Sequence, residues 1–188
     1  MRHVVLFHSV YGLRPAVLAA ADRLRAAGHR VHVPDLYGAP GVDTVEQGFA
    51  LLDRTGRQNV LDRARAALDG LPPETVLAGF SMGAGVAGAL LADCPDTAGL
   101  LLLHGTGASP ETVRPGLPIQ LHLADPDAYE PPEEVDQWQR EMNSVGADLA
   151  VHRYPGAGHL FTDPAVADHD PAVAELAWGR VLAFLTHR

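Results

Sequence analysis

A single cysteine, Cys94, is all the thiol chemistry in this chain of 188 residues. That excludes an internal disulfide and any multi-thiolate metal site, and it fits a reducing compartment. Cys94 itself reads as an inert packed thiol. Basic clusters are also missing: Asp and Glu number 23 against 14 Lys and Arg, for a formal charge of −9. Nucleic acid and anionic membrane surfaces are therefore not expected partners. No apolar run approaches the roughly 18 residues that a bilayer span needs. The opening MRHVVLFHSV has too short an apolar stretch and no small-residue cleavage site for an export signal. A soluble cytoplasmic protein is the expectation. Repeats, low-complexity tracts and linkers are lacking too, so a single domain over residues 1–188 is expected. His8, His122, His152 and His169 fall on separate elements with no HExxH or facial-triad spacing, so neither metal nor cofactor is anticipated.

What the chain does have is alternation. Short β-branched or leucine-rich runs at 3–7, 31–33, 75–78, 100–103, 119–123 and 150–154 are separated by longer Ala-rich amphipathic segments. This is the pattern of successive βα units in a parallel sheet. Helix signals lie between the runs: Pro15 opens a segment that stops at Gly28, and Asp43-Thr-Val-Glu46 has capping-box spacing. Asp170-Pro171 pairs an N-cap residue with proline at the first helical position. The fold expected is an open, mostly parallel α/β sheet of about six strands with helices on both faces. Ligands of such sheets sit at the carboxyl ends of strands, which directs attention to the residues just after each run.

One of those places reads Gly79-Phe80-Ser81-Met82-Gly83. This G-x-S-x-G pattern lies between a predicted strand and a predicted helix, where glycines on both sides of the serine remove side chains that would collide at a sharp turn. Ser81 is thereby a candidate nucleophile, and the Met82 amide at the helix start a candidate oxyanion donor. The overlapping Gly83-Ala-Gly85-Val-Ala-Gly88 spells a dinucleotide fingerprint, but its glycines fall within the helix and no acidic residue follows at about 20 positions. Helix-to-sheet packing is the better reading of those glycines.

A serine nucleophile requires a histidine base and an acid to orient it. His159, in the glycine-rich loop after the sixth run, is the candidate base. After the fifth run, Asp125 and Asp127 compete for the acid. Asp35, in the turn Pro34-Asp35-Leu36-Tyr37, suits an Asx role instead. Tyr11, His104, Tyr129 and Phe161 lie at predicted strand ends and are expected to line a pocket. Trp138 and Trp178 fall in predicted helices and belong to the core or an oligomer face.

Over nearly its whole length the chain resembles the dienelactone hydrolase family of α/β-hydrolases. The matching pieces are FHSVYGLRP, PDLYG, GFSMGAG, ADPDAYEPPEEV and YPGAGHLFTDP. The resemblance implies a small α/β-hydrolase fold without a cap domain. It favours Asp127 as the acid, four residues before Pro131, and adds the Val10 amide as a second oxyanion donor. Two departures stand out. In the first, a paired change, Ser81 replaces the family's nucleophilic cysteine and Ser9 a glutamate that helps to activate it; the second is at Asp163. Asp163 stands where those enzymes carry an arginine that binds the substrate carboxylate, which argues against an anionic substrate. The expectation is a serine hydrolase of a small ester or lactone, with Ser81, His159 and Asp127 as its triad. The alternative is a non-catalytic binding or scaffolding protein that kept the elbow without activity.

Overall fold

The computed structural model describes residues 1–186. Six strands among them pair in parallel into one sheet, ordered β2-β1-β3-β4-β5-β6. They are β1 (His3–Phe7), β2 (Arg30–His32), β3 (Val76–Phe80), β4 (Leu100–Leu103), β5 (Pro118–Asp125) and β6 (Asp148–Pro155). The helices are α1 (Pro15–Ala26), α2 (Val45–Thr55), α3 (Arg57–Ala66), α4 (Met82–Ala89), α5 (Pro132–Ser144) and α6 (Pro171–Thr186). This is the α/β-hydrolase architecture without a cap domain among the described residues: the stretch between β4 and β5 holds only a single 3-10 turn, Pro110–Thr112.

The central strands are buried on both faces, and their side chains divide by parity as the pleat requires. Val4, Leu6, Val76, Ala78, Phe80, Leu101 and Leu103 pack against Val17, Ala21 and Leu24 of α1 and Ala174, Trp178 and Val181 of α6. On the other face Val5, Phe7, Leu77, Leu102, Leu121 and Leu123 meet Leu51, Val60, Ala87, Trp138 and Met142 of α2 to α5. Each such buried aliphatic side chain contributes about 1.5–3 kcal/mol relative to exposure, so the two layers carry the stability of the sheet. Trp138 and Trp178 are thus core residues, the former also donating its indole N–H to Gly107 O at 2.8 Å.

Local signals set the helix boundaries. α1 starts on Pro15 and ends before Gly28, whose φ of +89° reverses the chain. Asp170 Oδ1 caps α6 by accepting from the Ala172 and Val173 amides. The capping box of α2 sits one residue later than its expected position. Thr44 Oγ1 accepts from Gln47 N, and Gln47 Oε1 accepts from Thr44 N, so Gln47 fills the role assigned to Glu46. No helix among the described residues is long and apolar enough to cross a membrane.

Candidate active site

The strand order reverses between β1 and β3, so their carboxyl ends open into the crevice where ligands of such sheets bind. β3 delivers Ser81 there. The serine has φ +51° and ψ −111°, a strained backbone for a residue with a side chain, and α4 begins at the next position. The turn is tight enough that a side-chain carbon on Gly79 would lie 2.0 Å from Gly83 O, and one on Gly83 would lie 2.5 Å from Phe7 O. Only glycine fits at either place. Gly88 is pressed in the same way against Ala108 N, at 1.9 Å, whereas Gly85 has open space around it. The overlapping fingerprint thus resolves into elbow and packing glycines.

Ser81 Oγ lies 2.9 Å from His159 Nε2. The other ring nitrogen, Nδ1, lies 2.8 Å from Asp127 Oδ1 and 2.9 Å from Oδ2. A carboxylate only accepts, so Nδ1 carries the proton and Nε2 presents a lone pair to the serine hydroxyl. The Asp127 side chain is 1 % exposed and is further tied by the Tyr129 N–H, which donates to Oδ1 at 2.9 Å. Asp125 ends β5, and its carbonyl accepts from Gly156 N at the mouth of the His159 loop. Of the two competing carboxylates, Asp127 is therefore the one at the imidazole.

The loop after β1 brings Val10 towards the elbow. Tyr37 Oη lies 3.0 Å from Val10 O and 3.3 Å from Met82 Sδ, so one buried phenol touches both residues. Burial pushes its pKa up to about 12, which keeps it protonated and a donor. His8 also fastens this loop: Nδ1 donates to Ser9 O at 2.8 Å, and Nε2 accepts from Leu36 N at 3.0 Å. Burial lowers its pKa, in keeping with a neutral structural imidazole. Asp35 forms the expected Asx turn, accepting at 2.9 Å from the Tyr37 and Gly38 amides.

Two expected pocket residues need correction. His104 and Phe161 have no exposed surface; they form a wall behind His159 instead of lining an open pocket. Their rings are 4.6 Å apart, and His104 stands 6.2 Å from the His159 ring, edge to face. His104 adopts φ +63°, and its Nε2 lies 2.6 Å from Thr162 Oγ1, bracing the loop three residues beyond the base. Burial drives its pKa well below the ordinary value, so it adds no charge beside His159. Tyr129 is 51 % exposed, its ring 4.6 Å from that of His159, while Tyr11 stacks under the Arg14 guanidinium at 4.1 Å.

Three charged or phenolic side chains escape a reading of the sequence. Tyr37 stands in a segment marked as a strand end, but its reach to Val10 and Met82 spans the sheet. Arg14 forms a buried ion pair with Asp163, joining the β1 loop to the His159 loop. Glu130 accepts from Thr106 N at 3.0 Å and Thr106 Oγ1 at 2.9 Å, tying the β5 loop to the β4 loop. Each contact joins distant loops, and no local pattern announces it.

Comparison with known proteins agrees with this architecture. The profile of the dienelactone hydrolase family matches residues 1–188. A candidate carboxymethylenebutenolidase of Synechocystis sp. is 23% identical over 204 residues, covering 95% of this chain and 82% of that protein. Among solved structures, a dienelactone hydrolase-like promiscuous phosphotriesterase from metagenomic libraries superposes with a TM-score of 0.82 at 21% identity, covering 98% of this chain and 86% of that one. Dienelactone hydrolase from Anabaena variabilis gives a TM-score of 0.65 at 22% identity, covering 99% and 86%. With a family match over its full length, the chain belongs to the dienelactone hydrolase family and is a hydrolase of ester bonds.

Proposed function

We propose that this protein is a serine variant within its family, hydrolysing a small ester or lactone through Ser81, His159 and Asp127. The observation that carries the reading is the unbroken line Ser81 Oγ, His159 Nε2, His159 Nδ1, Asp127, with both links at hydrogen-bond distance. In the first step Ser81 Oγ attacks the substrate carbonyl while Nε2 takes its proton, and Asp127 stabilises the imidazolium without itself being protonated. The oxyanion is held by the Val10 and Met82 amides, neither of which is taken by a protein acceptor among the described residues. Collapse expels the alkoxide, which receives the proton from Nε2 and leaves an acyl-Ser81 ester. Water, deprotonated by the same nitrogen, then attacks that ester, and Ser81 recovers its proton as the acid departs.

A hydroxyl in place of a thiol at the elbow fits this scheme. A serine needs the base at the moment of attack and has no standing thiolate to stabilise, so Ser9 in place of a glutamate leaves the hydroxyl with a single proton acceptor. A short connection after β4 and an exposed Tyr129 suit a small substrate entering directly from solvent. The experiment is labelling with a fluorophosphonate probe, together with a screen of short esters and lactones. Stoichiometric modification of Ser81, with hydrolysis lost in Ser81→Ala, is the expected result. A folded protein that neither labels nor hydrolyses is instead a binding or scaffolding protein.

A further inference from the structure

A second carboxylate stands near the elbow, and the triad does not use it. Glu130 lies three residues beyond Asp127, and both its oxygens face the β4 loop, one accepting from Thr106 N and the other from Thr106 Oγ1. A side-chain carbon on the intervening Gly105 would sit 3.2 Å from Glu130 Oε1 and 3.2 Å from Ser81 Cα. The carboxylate and the nucleophile's main chain are thus separated by at most twice that distance, with one glycine between them. Glu130 is only partly buried, so its charge is felt in the open cleft.

Among the described residues no cation forms an ion pair with it. Arg14, whose guanidinium covers Tyr11 at the cleft, is already paired with Asp163. Asp127 is engaged by His159, which is neutral until it takes the serine proton. Burial, and to a lesser degree the neighbouring Asp127, lift the Glu130 carboxyl above its ordinary value, against the two Thr106 hydrogen bonds and His159, which favour the charged form. The carboxylate-rich side of the cleft is therefore the side of the β5 loop, and the oxyanion donors of Val10 and Met82 belong to the β1 loop and α4.

We infer that Glu130 is a specificity-determining residue that rejects anionic acyl groups and admits neutral and cationic ones. The inference rests on the serine-hydrolase reading, because it needs the substrate's carbonyl carbon to be bonded to Ser81 Oγ. That bond limits the reach: a charge at the far end of a six-carbon acyl chain stays within roughly 15 Å of Glu130. At separations near 10 Å and an effective dielectric of about 20, a unit charge of either sign is favoured or disfavoured on the order of tenfold.

The test compares 4-nitrophenyl hexanoate, mono-4-nitrophenyl adipate and 4-nitrophenyl 6-(trimethylammonio)hexanoate, which share a leaving group and acyl length. In low salt the kcat/KM of the wild-type protein follows the order cationic, neutral, anionic. Glu130→Gln keeps an oxygen acceptor for the Thr106 amide and removes the charge. It raises the anionic-to-neutral ratio about tenfold, whatever happens to the absolute rates. The field of the whole protein acts equally on both forms, so the change in ratio isolates Glu130. A salt series on the wild-type protein gives an independent reading: the ratio climbs several-fold as the Debye length contracts from about 30 Å at 0.01 M to about 3 Å at 1 M. An unchanged ratio in a folded Glu130→Gln variant overturns the proposal while leaving the triad intact. If the variant does not fold, a wild-type ratio insensitive to salt overturns it. Hydrolysis that survives Ser81→Ala, or that never occurs, sinks the triad reading and this inference together.

Discussion

The hydroxyl of Tyr37 sits 3.0 Å from the carbonyl oxygen of Val10, 27 positions earlier in the chain. An N–H and the C=O of the same residue lie on neighbouring peptide planes, so fixing the carbonyl orients the loop that offers the Val10 amide. Tyr37→Phe removes the hydroxyl, and with it the bond to Val10 O and the contact with Met82 Sδ, while keeping the ring. The expected loss is about fivefold in kcat with KM little changed, since a buried neutral hydrogen bond is worth about 1 kcal/mol. A purely structural role predicts lower thermal stability with normal turnover of the folded fraction. Steady-state kinetics corrected for active-site concentration separate the two.

Asp127→Asn swaps the acceptor of the His159 Nδ1 proton for an amide that favours the wrong tautomer. By analogy with other triads, turnover falls on the order of ten-thousandfold. Asp125→Asn, at the end of β5 with its carbonyl bonded to Gly156 N, costs far less. Single-turnover measurements on both variants decide the matter, and the reverse ranking transfers the role to Asp125.

The contrast between those two residues shows where a sequence stops being legible. The parallel sheet, Ser81 after β3 and His159 after β6 follow from periodicity, because side-chain parity and glycine sterics are local. Choosing Asp127 over Asp125 required family spacing, since both follow the same run within four positions. Boundaries drifted where a signal was shared: Thr44 and Gln47 make the box that Asp43 and Glu46 also spell, one residue out of phase. His104 reads as a pocket residue because it directly follows β4. Its positive φ instead turns the ring behind His159, which no pattern of residue types records. Arg14 with Asp163, and Glu130 with Thr106, exist only once four loops converge.

Arg14 and Asp163 have side chains only 9% and 12% exposed, and Arg14 Nε already lacks a partner. Asp163→Ala leaves a buried guanidinium uncompensated. Breaking such a pair costs about 3–5 kcal/mol, read as a lower urea midpoint at constant m-value. A shift within about 0.5 kcal/mol would show that water already solvates the pair.

Acid sensitivity follows from the buried histidines. His8, His104 and His122 all have lowered pKa values because burial disfavours the imidazolium, and that of His122 falls from 6.5 to about 3. His122 is held neutral by Tyr154 Oη at 2.7 Å and Gln120 Oε1 at 2.9 Å. Between those two pH values the unfolded chain binds protons that the folded one refuses. Stability is therefore complete above about pH 6.5 and declines as pH falls, by up to about 1.4 kcal/mol per pH unit for each histidine. Urea titrations between pH 7 and 5 measure the slope while most carboxyls stay ionised. His122→Gln should remove about one histidine's share, and an unchanged slope would mean that His122 titrates in the fold.

The last prediction separates serine from thiol chemistry. Cys94 follows the 3-10 turn Leu90–Ala92 and lines a surface hollow with Thr75, Leu77 and Pro95, at the amino end of β3. Ser81 follows the carboxyl end of the same strand, so the two are separated by roughly 17 Å at about 3.3 Å per residue. Burial pushes the Cys94 thiol pKa up, with Asp93 adding to the effect. The thiolate is the nucleophile, so raising its pKa lowers the reactive fraction at neutral pH. Iodoacetamide should consequently spare hydrolysis, Cys94→Ala should retain it, and a serine-directed organophosphate should eliminate it. Inactivation by iodoacetamide that disappears in Cys94→Ala would move the chemistry to the opposite end of β3, where neither His159 nor Asp127 reaches.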